Sequence, residues 1–414
     1  MPHPLVESLR ARGFVMPDYD GGGLLNVPAT VLDVLGARDA GDAPPLVGLD
    51  PALCEGVRQV IVILADGLGW WQLEMFCDKG DTPFLADLRE RARRRESAQL
   101  LEATTVFPST TAAAITTMNT ARTPLEHGNL AYFLWLEEFA QVTAMLRWGP
   151  ANKRRGSYFD DPAVDPLRYV LVPSIHARLR DRGIASYVVE PEIFRFEAMT
   201  RMHAAEANFL GYVVPSTMGV RLRGLLEAPR PSYVYAYWSG IDTVSHLYGP
   251  RSDEAAIEAT IFDVAVRHAL ADRTAGDTLV LLTADHGHAT TDPDKMLDFV
   301  GDEELRALLR NPPAGEPRLV FLHTDHPTEV RAHIDRKWPG QVTLLDRDEL
   351  IDAGLFGQGD SLIARRRIGE VVALLDRDLS ASIMKVDGQT IRHRGSHGGM
   401  TADEMRIPVL AWRA

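Results

Sequence analysis

Three stretches of this chain run apolar and then stop on an aspartate. "VRQVIVILADGLG" ends its apolar run at Ala65 and meets Asp66. "PSYVYAYWSGID" carries β-branched and aromatic residues to Tyr237 and reaches Asp242, and "DTLVLLTADHG" ends on Asp285. Near-continuous apolar runs of this length suit strands covered on both faces, as in a parallel sheet layered with helices. Ligand sites of open α/β sheets gather beyond the carboxyl ends of their strands. Three acids past three strand ends therefore constrain both the fold and the location of its chemistry. The expected class is α/β, with a largely parallel central sheet and helices on both faces.

Helical segments lie between these runs. "DTPFLADLRERARRRE" opens on Asp81 as the expected cap, followed by a proline near the first turn. "EAAIEATIFDVAVRHALADR" is amphipathic, and His268 within it reads as structural. "GGGLLNVPATVLDVLG" reads as a loop and a short helix packed on the core. Residues 292–390 hold shorter elements of mixed charge and read as an inserted cap, so the core is assigned to 1–291 and 391–414. The closing "IPVLAW" reads as one more core strand.

Composition narrows the partners. A net charge of −13 opposes binding to a nucleic-acid polymer or an anionic membrane surface. An anionic small molecule would need local positive charge, which metal ions can provide. No apolar stretch reaches signal-peptide or transmembrane length, so a cytoplasmic protein without membrane insertion is expected. Cys54 and Cys77 are too few for a thiolate cluster or a disulfide framework and read as core fillers. Nothing in the composition fixes an oligomeric state.

Four short patterns could meet in space to bind metal. They are Asp66 in "LADGLG", Asp242 and His246 at i, i+4 spacing, Asp285 with His286, and His397 between the glycines of "GSHGG". An i, i+4 pair on a helical turn points both side chains one way. Glycines beside His397 permit close backbone approach. Each pattern alone is compatible with helix capping or a hydrogen-bonded core histidine. Together, carboxylates and imidazoles without thiolates suit two divalent ions, zinc first and manganese as the alternative, with magnesium admitted by the acids. "HTDH", which holds His323, Asp325 and His326, reads instead as a locally hydrogen-bonded loop. A nucleophile is available in "ATTVFPSTTAAAITTMNTARTPLEHG", where Ser109, Thr110 and Thr111 precede an alanine-rich helical stretch. The same residues would serve as ordinary N-caps.

The order Asp…Thr…Asp-x-x-x-His…Asp-His…His-Gly resembles the alkaline phosphatase superfamily, and within it the type I phosphodiesterase and nucleotide pyrophosphatase family. Thr120, Pro124 and His127-Gly128 stand at the family's spacing from Thr111, with Thr110 as the fallback. The resemblance implies an alkaline phosphatase-like core and hydrolysis of a small-molecule phosphodiester or pyrophosphate through a covalent phospho-threonine. It implies Asp242, His246 and His397 around one ion, and Asp66, Asp285 and His286 with the Thr111 oxygen around the other. His288 has no family role and is expected to hydrogen-bond a ligand. The chain departs from the family where Ala114 replaces an asparagine that binds a phosphoryl oxygen, and where Ala121 replaces a glycine. Asn129 or a backbone amide is the expected substitute donor. The segment 131–175, with Trp135 and Trp148, is expected to shape the leaving-group pocket together with the cap. A phosphomonoesterase or phosphonate hydrolase of the same superfamily is the alternative. A metal-binding protein without catalysis is the alternative of another class. No sulfatase motif Cys/Ser-x-Pro-x-Arg lies near residue 111.

Overall fold

A computed structural model describes residues 3–160, 164–271 and 276–414. Its centre is a seven-stranded sheet in which Gln59–Ala65 lies between Ser232–Trp238 and Thr278–Thr283, parallel to both. All residues of these three strands are buried. Successive side chains of a strand point to opposite faces, so burial throughout means that both faces are covered. Ala185–Val189 and Asn208–Phe209 extend the sheet in parallel on one side. On the other side Arg406–Arg413 runs antiparallel to both Thr278–Thr283 and the edge strand Ala98–Thr104. The closing strand is thus the one reversed member, a direction that an apolar run cannot reveal.

In the central register Ala65 pairs with Trp238 and Leu64 with Thr283. This brings the three chains to one sheet end together, and Asp66 N donates to the Trp238 carbonyl at 2.8 Å as the strands finish. The acids that follow leave the sheet side by side.

The helices largely follow their patterns. Asp253–Leu270 buries Ala255, Ala259, Phe262 and Val266, and Asn26–Val34 packs on the core. The helix after Asp81 differs at its start. It spans Pro83–Arg94 with Thr82 in the cap position and no capping bond from that side chain. Asp263 of the neighbouring helix instead accepts from Phe84 N at 3.1 Å and Leu85 N at 2.8 Å. The open amides were capped from a distant part of the chain, which local sequence does not show.

A second, antiparallel seven-stranded sheet stands beside the first. It joins Val342–Asp346, Val371–Leu375, Leu319–Leu322 and Ala314–Glu316 to Phe133–Leu136, Gln141–Ala144 and Gly149–Pro150. The sheet therefore draws on residues 133–150 as well as on the 292–390 segment. The link is Gly315, which pairs with Phe133. No helix among the described residues is long and apolar enough to cross a membrane.

Candidate metal centre and active site

Asp66 and Asp285 leave the ends of adjacent strands, and Asp242 follows on the first turn of the helix Gly240–Tyr248. The helix spacing puts His246 beside Asp242, with Nε2 3.3 Å from Asp242 Oδ1. His397 enters from the closing segment, its Nε2 3.6 Å from the same oxygen and 3.2 Å from His246 Nε2. On the other side His286 Nε2 lies 3.5 Å from Asp66 Oδ1 and 3.2 Å from Asp285 Oδ2. The rings of His286 and His397 stack at 3.6 Å and join the two groups. All six residues meet at one end of the central sheet.

Backbone contacts fix the protons of three histidines. His286 Nδ1 faces the Gly287 carbonyl at 3.1 Å, His246 Nδ1 the Gly395 carbonyl at 2.7 Å and His397 Nδ1 the Ser109 carbonyl at 3.0 Å. A carbonyl can only accept, so each Nδ1 carries hydrogen and each Nε2 turns a lone pair into the site. His288 is opposite in sense. Its Nε2 lies 2.8 Å from Asp242 Oδ1, where it donates, and its buried Nδ1 has no partner. That is the hydrogen bond to an acid expected of it, and it places His288 in a further converging group with Asp242 and His246.

The charges suit a cation. Burial pushes the Asp66 carboxyl well above its ordinary range, and the neighbouring Asp242 and Asp285 carboxylates push the same way. Burial also raises Asp285, and it holds His397 well below the ordinary imidazole value, reinforced by His286 and His246. Asp242 is the exception. Burial opposes its charge, but His246 and His288 outweigh that and hold it well below the usual range. The buried atoms Asp66 Oδ1 and Asp285 Oδ2 have no hydrogen-bond partner. Orphaned carboxylate oxygens facing imidazole lone pairs are costly without a cation and suited to one. The oxygen and nitrogen donor set fits zinc or manganese.

Thr111 is the first residue of the helix Thr111–Thr120, and its Oγ1 lies 3.1 Å from His286 Nε2. The hydroxyl of Thr110 is engaged elsewhere, donating to Glu316 Oε1 at 2.5 Å. Of the two threonines, Thr111 is the one beside the converging acids. Thr110 makes no capping bond to the helix, so the first-turn amides stay open. Asn129 does not stand in for the missing asparagine. Its Nδ2 donates to the Ala112 carbonyl at 3.2 Å and to Thr116 Oγ1 at 2.9 Å, and it does not line the cavity beside Thr111.

That cavity, about 350 Å³, is walled partly by Tyr132, Phe133 and Leu146 and partly by Glu316 and residues 380–384. Both segments expected to shape the pocket do so, but not through the tryptophans. Trp148 is buried among Phe139, Tyr158 and Tyr169. Sequence reading missed Glu316 altogether, because "GEPRLVF" carries no sign of its neighbours. One trace existed. Gly398 has φ +112°, and a Cβ there would fall 2.6 Å from Glu316 Cβ, so that glycine is required by the acid packed against it. Tyr237, whose hydroxyl donates to Asp66 Oδ2, was read only as a strand residue. The "HTDH" loop is locally bonded: Asp325 pairs with Arg310, and His326 N donates to Thr324 Oγ1 at 2.9 Å.

The fold is alkaline phosphatase-like, and the acids, histidines and Thr111 converge at one end of its central sheet. The sequence model of the type I phosphodiesterase / nucleotide pyrophosphatase family matches residues 60–151 and 195–400, well over half of the chain, and the chain belongs to that family. The phosphonoacetate hydrolase of Sinorhizobium meliloti 1021, solved with phosphonoformate, shares the fold at 17% identity with a TM-score of 0.61, over 85% of this chain and 89% of that one. Murine ectonucleotide pyrophosphatase / phosphodiesterase 5, an inactive variant solved with AMP, gives 14% identity and a TM-score of 0.60, over 85% and 87%. The human counterpart gives 14% and 0.59, over the same shares. No curated protein matches the chain.

Proposed function

We propose that the protein hydrolyses phosphodiester or nucleotide pyrophosphate bonds through a covalent phospho-threonine at Thr111. The observation that carries this reading is the Thr111 hydroxyl 3.1 Å from His286 Nε2, beside a converging group of Asp66, Asp285 and His286. Asp66, Asp285 and His286 would hold one divalent cation and Asp242, His246 and His397 a second. When bound, such ions neutralise phosphoryl oxygens, acidify a hydroxyl or water and stabilise a departing alkoxide.

The chain's own residues account for the rest. Thr111 Oγ1 gives its proton to solvent and forms the new bond to phosphorus, while the ester oxygen leaves with the electron pair of its own bond and takes up a proton from solvent. Water then displaces Thr111 in a second step, one of its protons returning to Oγ1 and the other passing to solvent. The first-turn amides of Thr111–Thr120, left open by Thr110, face the start of the helix, where a phosphoryl oxygen is favoured by the positive helix end. They are the donors we assign in place of a side chain at position 114. A phosphonate hydrolase of the same superfamily is the second reading: the S. meliloti enzyme that shares the fold is a phosphonoacetate hydrolase, and a phosphonate presents the same tetrahedral phosphorus to Thr111.

Replacing Thr111 with Ala should abolish turnover of bis(para-nitrophenyl) phosphate, while bound metal, measured by elemental analysis, stays near the wild-type content. Wild-type rates in this variant would remove Thr111 from the chemistry.

A further inference from the structure

The cavity beside Thr111 is apolar on most of its wall, through Phe133, Leu146, Met296, Ile383, Met384 and Ile391. Its acidic side chains are Asp242 and Glu316, and among the described residues no lysine or arginine lines it. Arg147, next to the lining Leu146, is engaged elsewhere. Its Nη1 donates to the carbonyls of Lys153 at 2.5 Å and Arg154 at 3.3 Å, and its Nε to the Tyr132 hydroxyl at 3.3 Å.

Glu316 is fixed in that wall. Its Oε1 accepts from Thr110 Oγ1 at 2.5 Å and from Tyr132 N at 2.6 Å, and the residue is 3% exposed. The backbone at Gly398 closes against its Cβ. An acid clamped by two donors and by packed backbone cannot swing out of the way of a ligand. Ionised, it repels a second negative group; neutral, it offers a single proton where an anion needs several donors.

We infer that this cavity takes one compact, uncharged apolar substituent on phosphorus, an aryl or alkyl ester, and that Glu316 is the residue that rejects substituents bearing further negative charge. The inference rests on the hydrolase reading above and narrows it. It places terminal carboxylates, as in phosphonoacetate, and additional phosphates among the poor ligands. The cavity's size agrees, since about 350 Å³ lies at the small end of ligand sites and holds one ring-sized group.

The test uses the full chain loaded with zinc or manganese. Rates are compared for bis(para-nitrophenyl) phosphate and para-nitrophenyl phenylphosphonate against phosphonoacetate and ATP. Calorimetry in parallel compares the binding of phenylphosphonate with that of phosphonoacetate. The uncharged substituents should lead in kcat/KM by on the order of 100-fold, the effect of a like charge roughly 6 Å away near a protein surface. Phenylphosphonate should bind more tightly than phosphonoacetate. Glu316→Gln and Glu316→Ala should both narrow the gap, mainly through KM for the anionic compounds. Equal or better handling of the anionic set, or an unchanged gap in both folded variants, would overturn the inference and leave the hydrolase reading standing. Absence of turnover with the phenylphosphonate preference intact would support the cavity assignment and overturn the hydrolase reading alone.

Discussion

His288 carries its proton on the opposite nitrogen from the three histidines around it, which suits it to orient an acid rather than to face a cation. Its Nε2 donates to Asp242 at 2.8 Å, fixing a carboxylate that His246 and His397 also approach. Removing such a support leaves the ligand in place but free to turn. His288→Ala should weaken divalent-ion affinity about 10- to 100-fold, read by competition with a chromophoric chelator. His288→Gln, which can still donate, should recover part of the loss. Unchanged affinity in the alanine variant would make His288 a packing residue. Glu190, which follows the strand Ala185–Val189 at the same end of the central sheet, tests the effect of burial on a second acid. The Thr200 hydroxyl donates to it at 3.1 Å, and burial pushes its carboxyl up to about 7 from an ordinary 4.5. The folded value lies above the unfolded one, so the folded chain holds this proton more tightly, and stability falls as pH rises from 4.5 to about 7. Glu190→Gln lifts that cost. Urea unfolding should find the variant more stable by up to about 3 kcal/mol at pH 8, the advantage shrinking as the pH falls toward 4.5. A gain that is independent of pH would reject this account.

The helix that Thr111 begins is aligned by the loop before it. Ser109 Oγ donates to the Gly399 carbonyl at 2.8 Å and accepts from Gly398 N at 3.1 Å, while its own carbonyl receives His397 Nδ1 at 3.0 Å. One residue thus ties the start of Thr111–Thr120 to the segment that carries His397. Ser109→Ala should leave the Gly399 carbonyl without its donor. The expected cost is about 1–3 kcal/mol in urea unfolding together with weaker metal binding. A loss of stability with metal affinity unchanged would show that the tie is structural only. These elements also mark how far the sequence could be read. The strands ending before Asp66, Asp242 and Asp285 were legible because burial on both faces leaves an unbroken apolar run, and their acids fell at the sheet end that parallel register dictates. The converging histidines followed from spacing and from the family resemblance. The second sheet was not legible as a unit. Phe133–Leu136 and Ala314–Glu316 are short strands, and a period-two pattern gives no hint of a partner so distant in sequence. Glu316 went unseen for the same reason, as its role exists only once the second sheet lies against Thr110. Asp81 was misread as a cap because its competitor, Asp263, arrives by tertiary packing.

The two sheets are joined at a seam marked by a buried ion pair. Arg318, two residues beyond Glu316, is fully buried and pairs with Glu404 through Nε to Oε1 at 2.8 Å and Nη2 to Oε2 at 3.0 Å. Glu404 also accepts from Gly399 N at 2.8 Å and from Thr401 N at 3.2 Å. Arg318 Nη1 adds donation to the carbonyls of Arg377, at 2.7 Å, and Leu379. One forked pair therefore fastens the second sheet, the wall at 380–384 and the turn behind His397. Burial opposes the charge of Glu404, but Arg318 and the surrounding donors outweigh it and hold the carboxyl below its ordinary range. Removing the cation alone strands that carboxylate in the interior. Arg318→Met should cost about 3–5 kcal/mol in urea unfolding, and pairing it with Glu404→Gln should restore part of the loss because no buried charge is left uncompensated. The same fastening makes the site sensitive to it. Gly399 connects Glu404 to Ser109, and Arg318 lies in the turn that follows Glu316 at the end of Ala314–Glu316, so metal affinity and discrimination among esters should both deteriorate in Arg318→Met even where the protein remains folded. Stability within about 1 kcal/mol of wild type would mean that the sheets are held mainly by apolar contact, and the seam would then have no hold on the chemistry of the site.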